Sequence, residues 1–133
     1  MTDTAKPEQT ATAQPPAVVR ACIIEDRRGM REGLAMWIDA TDGFRGSGRF
    51  RSMEEALARI GTDLPDVALV DIGLPGMSGI EGIAILAERY PSLQMLMLTV
   101  YDDDDRIFNA LCAGATGYLL KKTPPARILE SLR

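Results

Sequence analysis

Acidic residues close two of the apolar runs in this chain. Glu25 and Asp26 end "VVRACIIED" (18–26), and Asp71 ends the core of "PDVALVDI" (65–72). A third run, "LQMLMLTV" (93–100), carries Thr99 near its end, and a fourth, "TGYLLK" (116–121), finishes on Lys121. Taken one at a time, an aspartate at a strand end forms turns, a threonine caps, and a lysine is solvated. Brought to one place they would make a reactive centre. Three carboxylates in close company repel one another unless a cation joins them. Hard oxygen donors suit Mg²⁺, which is typically bound by one or two carboxylates while it keeps waters and accepts phosphate oxygens. A carboxylate, a hydroxyl and an ammonium around such an ion fit phosphoryl transfer onto the carboxylate. That reaction demands charge neutralisation and positioning more than covalent help.

Whether these residues meet depends on the elements that carry them. The runs at 18–26, 65–72, 93–100 and 116–121 are short and apolar, as strands buried on both faces are. Between them lie helical patterns. Residues 28–40 place Met30, Leu34, Trp37 and Ile38 at helical spacing, with "TDG" as the stop. Ser52 and Glu55 have capping-box spacing ahead of Ala56, Leu57 and Ile60. "GIEGIAILAERY" (79–90) is helical and halted by Pro91, and "DDDD" (102–105) opens a helix containing Ile107, Phe108, Leu111 and Cys112. "PPARILESLR" (124–133) starts a last helix with prolines suited to a first turn. A weaker strand is predicted within 44–51, where two glycines dilute the pattern. Five strand–helix alternations predict an open parallel α/β sheet with helices on both faces. In such sheets functional groups gather beyond the carboxyl ends of the strands, where Glu25, Asp26, Asp71, Thr99 and Lys121 all fall.

Composition narrows the functions. The chain has 133 residues, 46% of them hydrophobic, enough for one domain with its own core. It contains no histidine, which rules out histidine triads and the usual zinc sites. A net charge of −4 argues against nucleic-acid binding by this chain itself, since phosphate contacts need a basic face. No apolar stretch approaches the roughly 20 residues that cross a bilayer, and the N-terminus lacks a signal-peptide core, so a cytoplasmic protein without membrane contact is expected. Residues 1–17, rich in Thr, Ala, Gln and Pro, read as a disordered tail ahead of one domain at 18–133. Cys22 and Cys112 lie in apolar segments without metal-ligand spacing and read as buried free thiols.

Four segments together resemble a bacterial response-regulator receiver domain: "IIED" (23–26), "LVDIGLPGMSGIEG" (69–82), "LMLTVYDDDD" (96–105) and "AGATGYLLKK" (113–122). The last two look most like the NarL/FixJ subfamily, whose members usually carry a C-terminal helix-turn-helix. The resemblance implies a flavodoxin-like doubly wound (βα)5 sheet with strand order 2-1-3-4-5. It implies that Asp71 accepts a phosphoryl group from the phosphohistidine of a sensor histidine kinase. Glu25 and Asp26 match the acidic pair that binds Mg²⁺ directly or through water, and the backbone carbonyl of Gly73 matches the remaining protein ligand. Thr99 and Lys121 match the hydroxyl and the lysine that contact the phosphoryl group, and Tyr118 matches the aromatic switch that turns inward when Thr99 shifts. New charge at Asp71 would then bias the surface of the last strands and helices. Family likeness also implies a homodimer through the first and last helices and DNA binding by an output domain beyond Arg133, which makes a truncated chain the expectation over a stand-alone receiver.

The departures are informative. Glu25 stands where aspartate is commoner, Gly73 leaves no side chain two places after Asp71, and Tyr101 puts a bulky one two places after Thr99, where it would influence water access. Lys122 rather than proline follows Lys121, so the family's frequent cis Lys-Pro bond is unavailable. Rival classes fare worse. A haloacid-dehalogenase-type phosphohydrolase needs a second aspartate where Gly73 stands. "GSGRFR" (46–51) lacks the third glycine of a dinucleotide loop. A pseudo-receiver, using the same fold only for protein interaction, has no need of the complete acidic, hydroxyl and lysine set.

Overall fold

The computed structural model describes residues 18–74, 76–99, 104–120 and 127. The tail at 1–17, Tyr101, Asp102, Asp103, Lys121, Lys122 and nearly all of the last predicted helix lie outside the described residues.

The elements alternate as β1 (Val19–Ile24), α1 (Arg28–Ala40), β2 (Phe44–Phe50), α2 (Met53–Arg59), a single 3₁₀ turn (Ile60–Asp63), β3 (Val67–Asp71), α3 (Gly79–Arg89), β4 (Gln94–Thr99), α4 (Asp104–Ala113) and β5 (Gly117–Leu120). All five strands pair in parallel in the order β2-β1-β3-β4-β5. The expected doubly wound sheet and its strand order are both present.

Strand alternation builds two cores. In β1, Ala21 and Ile23 face one layer with Leu34, Ala35 and Ile38 of α1, and Val67 and Leu69 of β3 join them. Cys22 and Ile24 face the other layer with Ala68 and Val70 of β3, Met53 and Ala56 of α2, and Ile83 and Leu86 of α3. Successive side chains point to opposite faces, so a strand lined on both sides must be apolar throughout, and every residue of β3 is buried.

The α1 stripe is centred on Leu34, Ala35 and Ile38, and Trp37 stands at its margin, half-exposed. The weak strand at 44–51 is β2, the edge strand. Its pairing with β1 shifts register between Ala21 and Cys22, which sets Gly48 opposite Cys22. A Cβ at Gly48 would lie 2.9 Å from the Phe50 ring, so the glycine lets that ring fold back over the sheet. Cys112 is corrected by the structure: Cys22 is buried, whereas Cys112 is exposed on α4. That helix turns Ile107 and Ala110 to the core, and a residue two places past Ala110 falls on the opposite side.

Candidate functional site

Strand register sets the site. Ile24 pairs with Val70, and Asp71 pairs with Leu98, so the ends of β1, β3 and β4 lie side by side. The residues at those ends are Glu25 and Asp26, Asp71, and Thr99. Glu25, Asp71 and Thr99 are buried although polar, while Asp26 is exposed. One carboxylate oxygen from each of Glu25, Asp26 and Asp71 lies within 4.8 Å of the others. Three oxygen donors of like charge at that spacing, two of them on buried residues, form a donor set that fits a hard divalent cation.

Backbone contacts fix two of the acids. The Arg27 N–H donates to Glu25 Oε2 at 3.0 Å, so this carboxylate also serves the chain where it enters α1. That helix has neither a side-chain cap of its own nor an acidic residue in its first turn. The Gly73 N–H donates to Asp71 Oδ1 at 3.0 Å and orients the carboxylate at the end of β3. Arg31 Nη1 reaches back to the carbonyls of Glu25 and Asp26, at 3.1 and 3.3 Å, and straps down the acidic corner. Sequence reasoning missed Arg31; nothing short of the fold shows that a residue one turn into α1 curls back over that corner.

Glycines set the approach of α3 to Asp71. A Cβ at Gly79 would lie 2.5 Å from the Asp71 carbonyl oxygen, so the first turn of α3 rests directly on the acceptor strand. Gly73 is different: a Cβ there would meet Asp71 Oδ1 at 3.8 Å, an ordinary contact, so sterics do not demand glycine two places after the aspartate. Ser78 and Glu81 close a full capping box at the N-terminus of α3, each side chain taking the other's backbone N–H at 3.2 Å. This box is readable as S-x-x-E in the sequence. At α2, Ser52 Oγ accepts the Glu55 N–H at 3.0 Å, as its spacing predicts, but Glu55 Oε1 takes the N–H of Arg51 rather than that of Ser52.

The remaining site residues divide. Thr99 stands at the end of β4 next to Asp71's partner Leu98. Tyr118 pairs with Met97 in β5 and is 42% exposed, its ring outside the core. Lys121 lies outside the described residues.

Residues 21–133 match the model of the response regulator receiver domain. The chain belongs to the response-regulator receiver family. Among curated relatives it is 36% identical over 104 residues to the DNA-binding transcriptional activator DevR/DosR of Mycobacterium tuberculosis, covering 78% of this chain and 48% of that one. It is 30% identical over 115 residues to the transcriptional regulatory protein DegU of Brevibacillus brevis, covering 86% and 49%. The chain spans about half the length of the curated relatives it matches. Among solved structures it superposes on the signal receiver domain of NarL from Mycobacterium tuberculosis with a TM-score of 0.82 and 29% identity, covering 88% of this chain and 94% of that one. The receiver fold, the two-component class and the kinship with transcription regulators are thereby established. Among the described residues no helix is long and apolar enough to cross a membrane.

Proposed function

We propose that this receiver takes a phosphoryl group onto Asp71 from the phosphohistidine of a sensor kinase, with Mg²⁺ held by Glu25, Asp26, Asp71 and the backbone carbonyl of Gly73. The observation that carries the proposal is the convergence of the three carboxylates within 4.8 Å at the ends of adjacent parallel strands. In the transfer an Asp71 carboxylate oxygen forms the new O–P bond as the N–P bond of the phosphohistidine breaks, and the electron pair returns to the kinase imidazole. When bound, Mg²⁺ would supply the positive charge that lets the phosphoryl group, a fourth anion, approach the three acids. The Gly73 N–H holds Asp71 Oδ1 and so orients the carboxylate that would act as nucleophile.

Thr99 and Lys121 are assigned to the phosphoryl oxygens, the hydroxyl as a neutral donor and the ammonium as a counter-charge. Tyr118, exposed in β5, is assigned as the ring that follows Thr99 inward. The output we assign is transcription control through a DNA-binding domain, supported by the names of the relatives, with the receiver acting in the cytoplasm. Pairing of two copies through the first and last helices is part of the same proposal, and sedimentation of modified against unmodified protein checks it.

The deciding experiment is the intact mass after incubation with Mg²⁺ and acetyl phosphate, for wild type and Asp71→Asn. The expected result is a gain of one phosphoryl mass in the wild type alone. If neither acetyl phosphate nor a phosphohistidine donor labels the wild type, the domain is a pseudo-receiver and the proposal fails.

A further inference from the structure

The first turn of α2 contributes nothing to the acidic cluster, yet two successive residues of it key into the segment that follows Asp71. Glu54 Oε2 accepts the N–H of Met77 at 3.1 Å, across 23 positions of sequence. The preceding residue, Gly76, has φ of +72°, and a Cβ there would lie 2.7 Å from the same Glu54 oxygen. Both the left-handed backbone and the missing side chain are what the carboxylate needs to approach so closely. Beside it, Met53 is fully buried against Gly82 of α3, where a Cβ would collide with its side chain at 2.2 Å. Ser52 in turn holds the α2 terminus by accepting the Glu55 N–H. The Met77 N–H also draws the Glu54 carboxyl below its ordinary range, which means that the bond favours the charged form.

We propose that Glu54 is a positioning residue: its carboxylate latches Gly76 and Met77 to α2 and so sets where Gly73 and Asp71 stand relative to Glu25 and Asp26. This rests on the assignment of Asp71 and its neighbours as the Mg²⁺ site. The physical route is short. Met77 leads into Ser78 and Gly79, and Gly79 packs on the Asp71 carbonyl, so slack at Met77 reaches the acceptor within two residues. Glu54 is itself exposed and is not a member of the acidic cluster, so a change there acts through the latch.

The test compares wild type, Glu54→Gln and Glu54→Ala. Glutamine keeps an oxygen that accepts the Met77 N–H, and alanine does not. Amide exchange at Met77, followed by NMR, is expected to speed up about threefold to tenfold in Glu54→Ala and to stay within about twofold of wild type in Glu54→Gln. Mg²⁺ affinity, measured by calorimetry, is expected to weaken in parallel in Glu54→Ala and to be rescued in Glu54→Gln, with circular dichroism at the assay temperature as the control that all three proteins remain folded. Equal Met77 exchange in all three proteins would overturn the latch. Faster exchange with unaltered Mg²⁺ affinity would reduce Glu54 to a purely structural contact and overturn the positioning role. A wild type that binds no Mg²⁺ would instead count against the site assignment, while the exchange data would still decide the latch.

Discussion

Glu25 combines two tasks in one side chain. Its Oε2 receives the Arg27 N–H, and a carboxylate oxygen of the same residue belongs to the cluster with Asp26 and Asp71. The two tasks separate in Glu25→Gln, which keeps the acceptor and removes the charge. Mg²⁺ affinity by calorimetry is expected to fall by about tenfold or more. The metal-free variant should unfold at the same or a higher urea concentration than wild type, because one like-charge repulsion is gone. Cys22 gives a second prediction at this scale. Burial pushes its thiol up from about 9.0 to about 12, so the folded state keeps a proton that the unfolded state loses first. Stability should therefore fall as pH rises from about 9 towards 12, and Cys22→Ala should lack that part of the slope in urea titrations. With native protein at neutral pH, a thiol reagent should modify Cys112 and spare Cys22 until the chain is unfolded.

Elements hold these residues in place, and α3 is the one nearest the acceptor. Ser78→Ala removes half of its capping box and should cost about 1 kcal/mol in equilibrium unfolding. Gly79→Ala should cost more, about 1–3 kcal/mol, because the added carbon meets the Asp71 main chain, which cannot rotate away as a side chain would. The element pattern was legible to very different degrees. Residues 28–40 and the apolar strands could be read directly, since each has one period and a clear stop. The strand at 44–50 was faint because an edge strand with Gly46 and Gly48 buries little besides Phe44 and Phe50. Trp37 and Cys112 look like core residues by type, but a helix packed on only one side has to leave some apolar residues at its margin or on its outer face. The acidic cluster was legible because strand ends in a parallel sheet must converge. The Glu54–Met77 contact was not, since nothing local to either residue announces a bond across the loop.

At the scale of the whole molecule, the sheet spends apolar packing to bring like charges together. Two buried acids and an exposed one at the ends of β1 and β3 repel in the absence of a cation, so ion binding and folding are linked. At roughly 100 times its Kd, Mg²⁺ should stabilise the fold by about 2.7 kcal/mol, read as a higher urea midpoint. Asp71→Asn should lose most of that increment. With no histidine in the chain, stability between about pH 6 and 8 should be nearly flat, since no other side chain ordinarily titrates there. Below that plateau the lowered Glu54 carboxyl works in the opposite sense to Cys22: its contribution is present above the ordinary value of 4.5 and is lost as pH falls through the folded-state value.

The contact between Gly79 and the Asp71 carbonyl has a mechanical consequence. With 11 residues, α3 is a rod about 16 Å long whose foot stands on the acceptor strand without a side chain as cushion. Tilting such a rod by about 5° about its foot carries the far end through roughly 1.4 Å, given that length. The bare glycine thus turns the helix into a lever, and a displacement too small to notice at the aspartate would be amplified at Arg89, the far end of the helix.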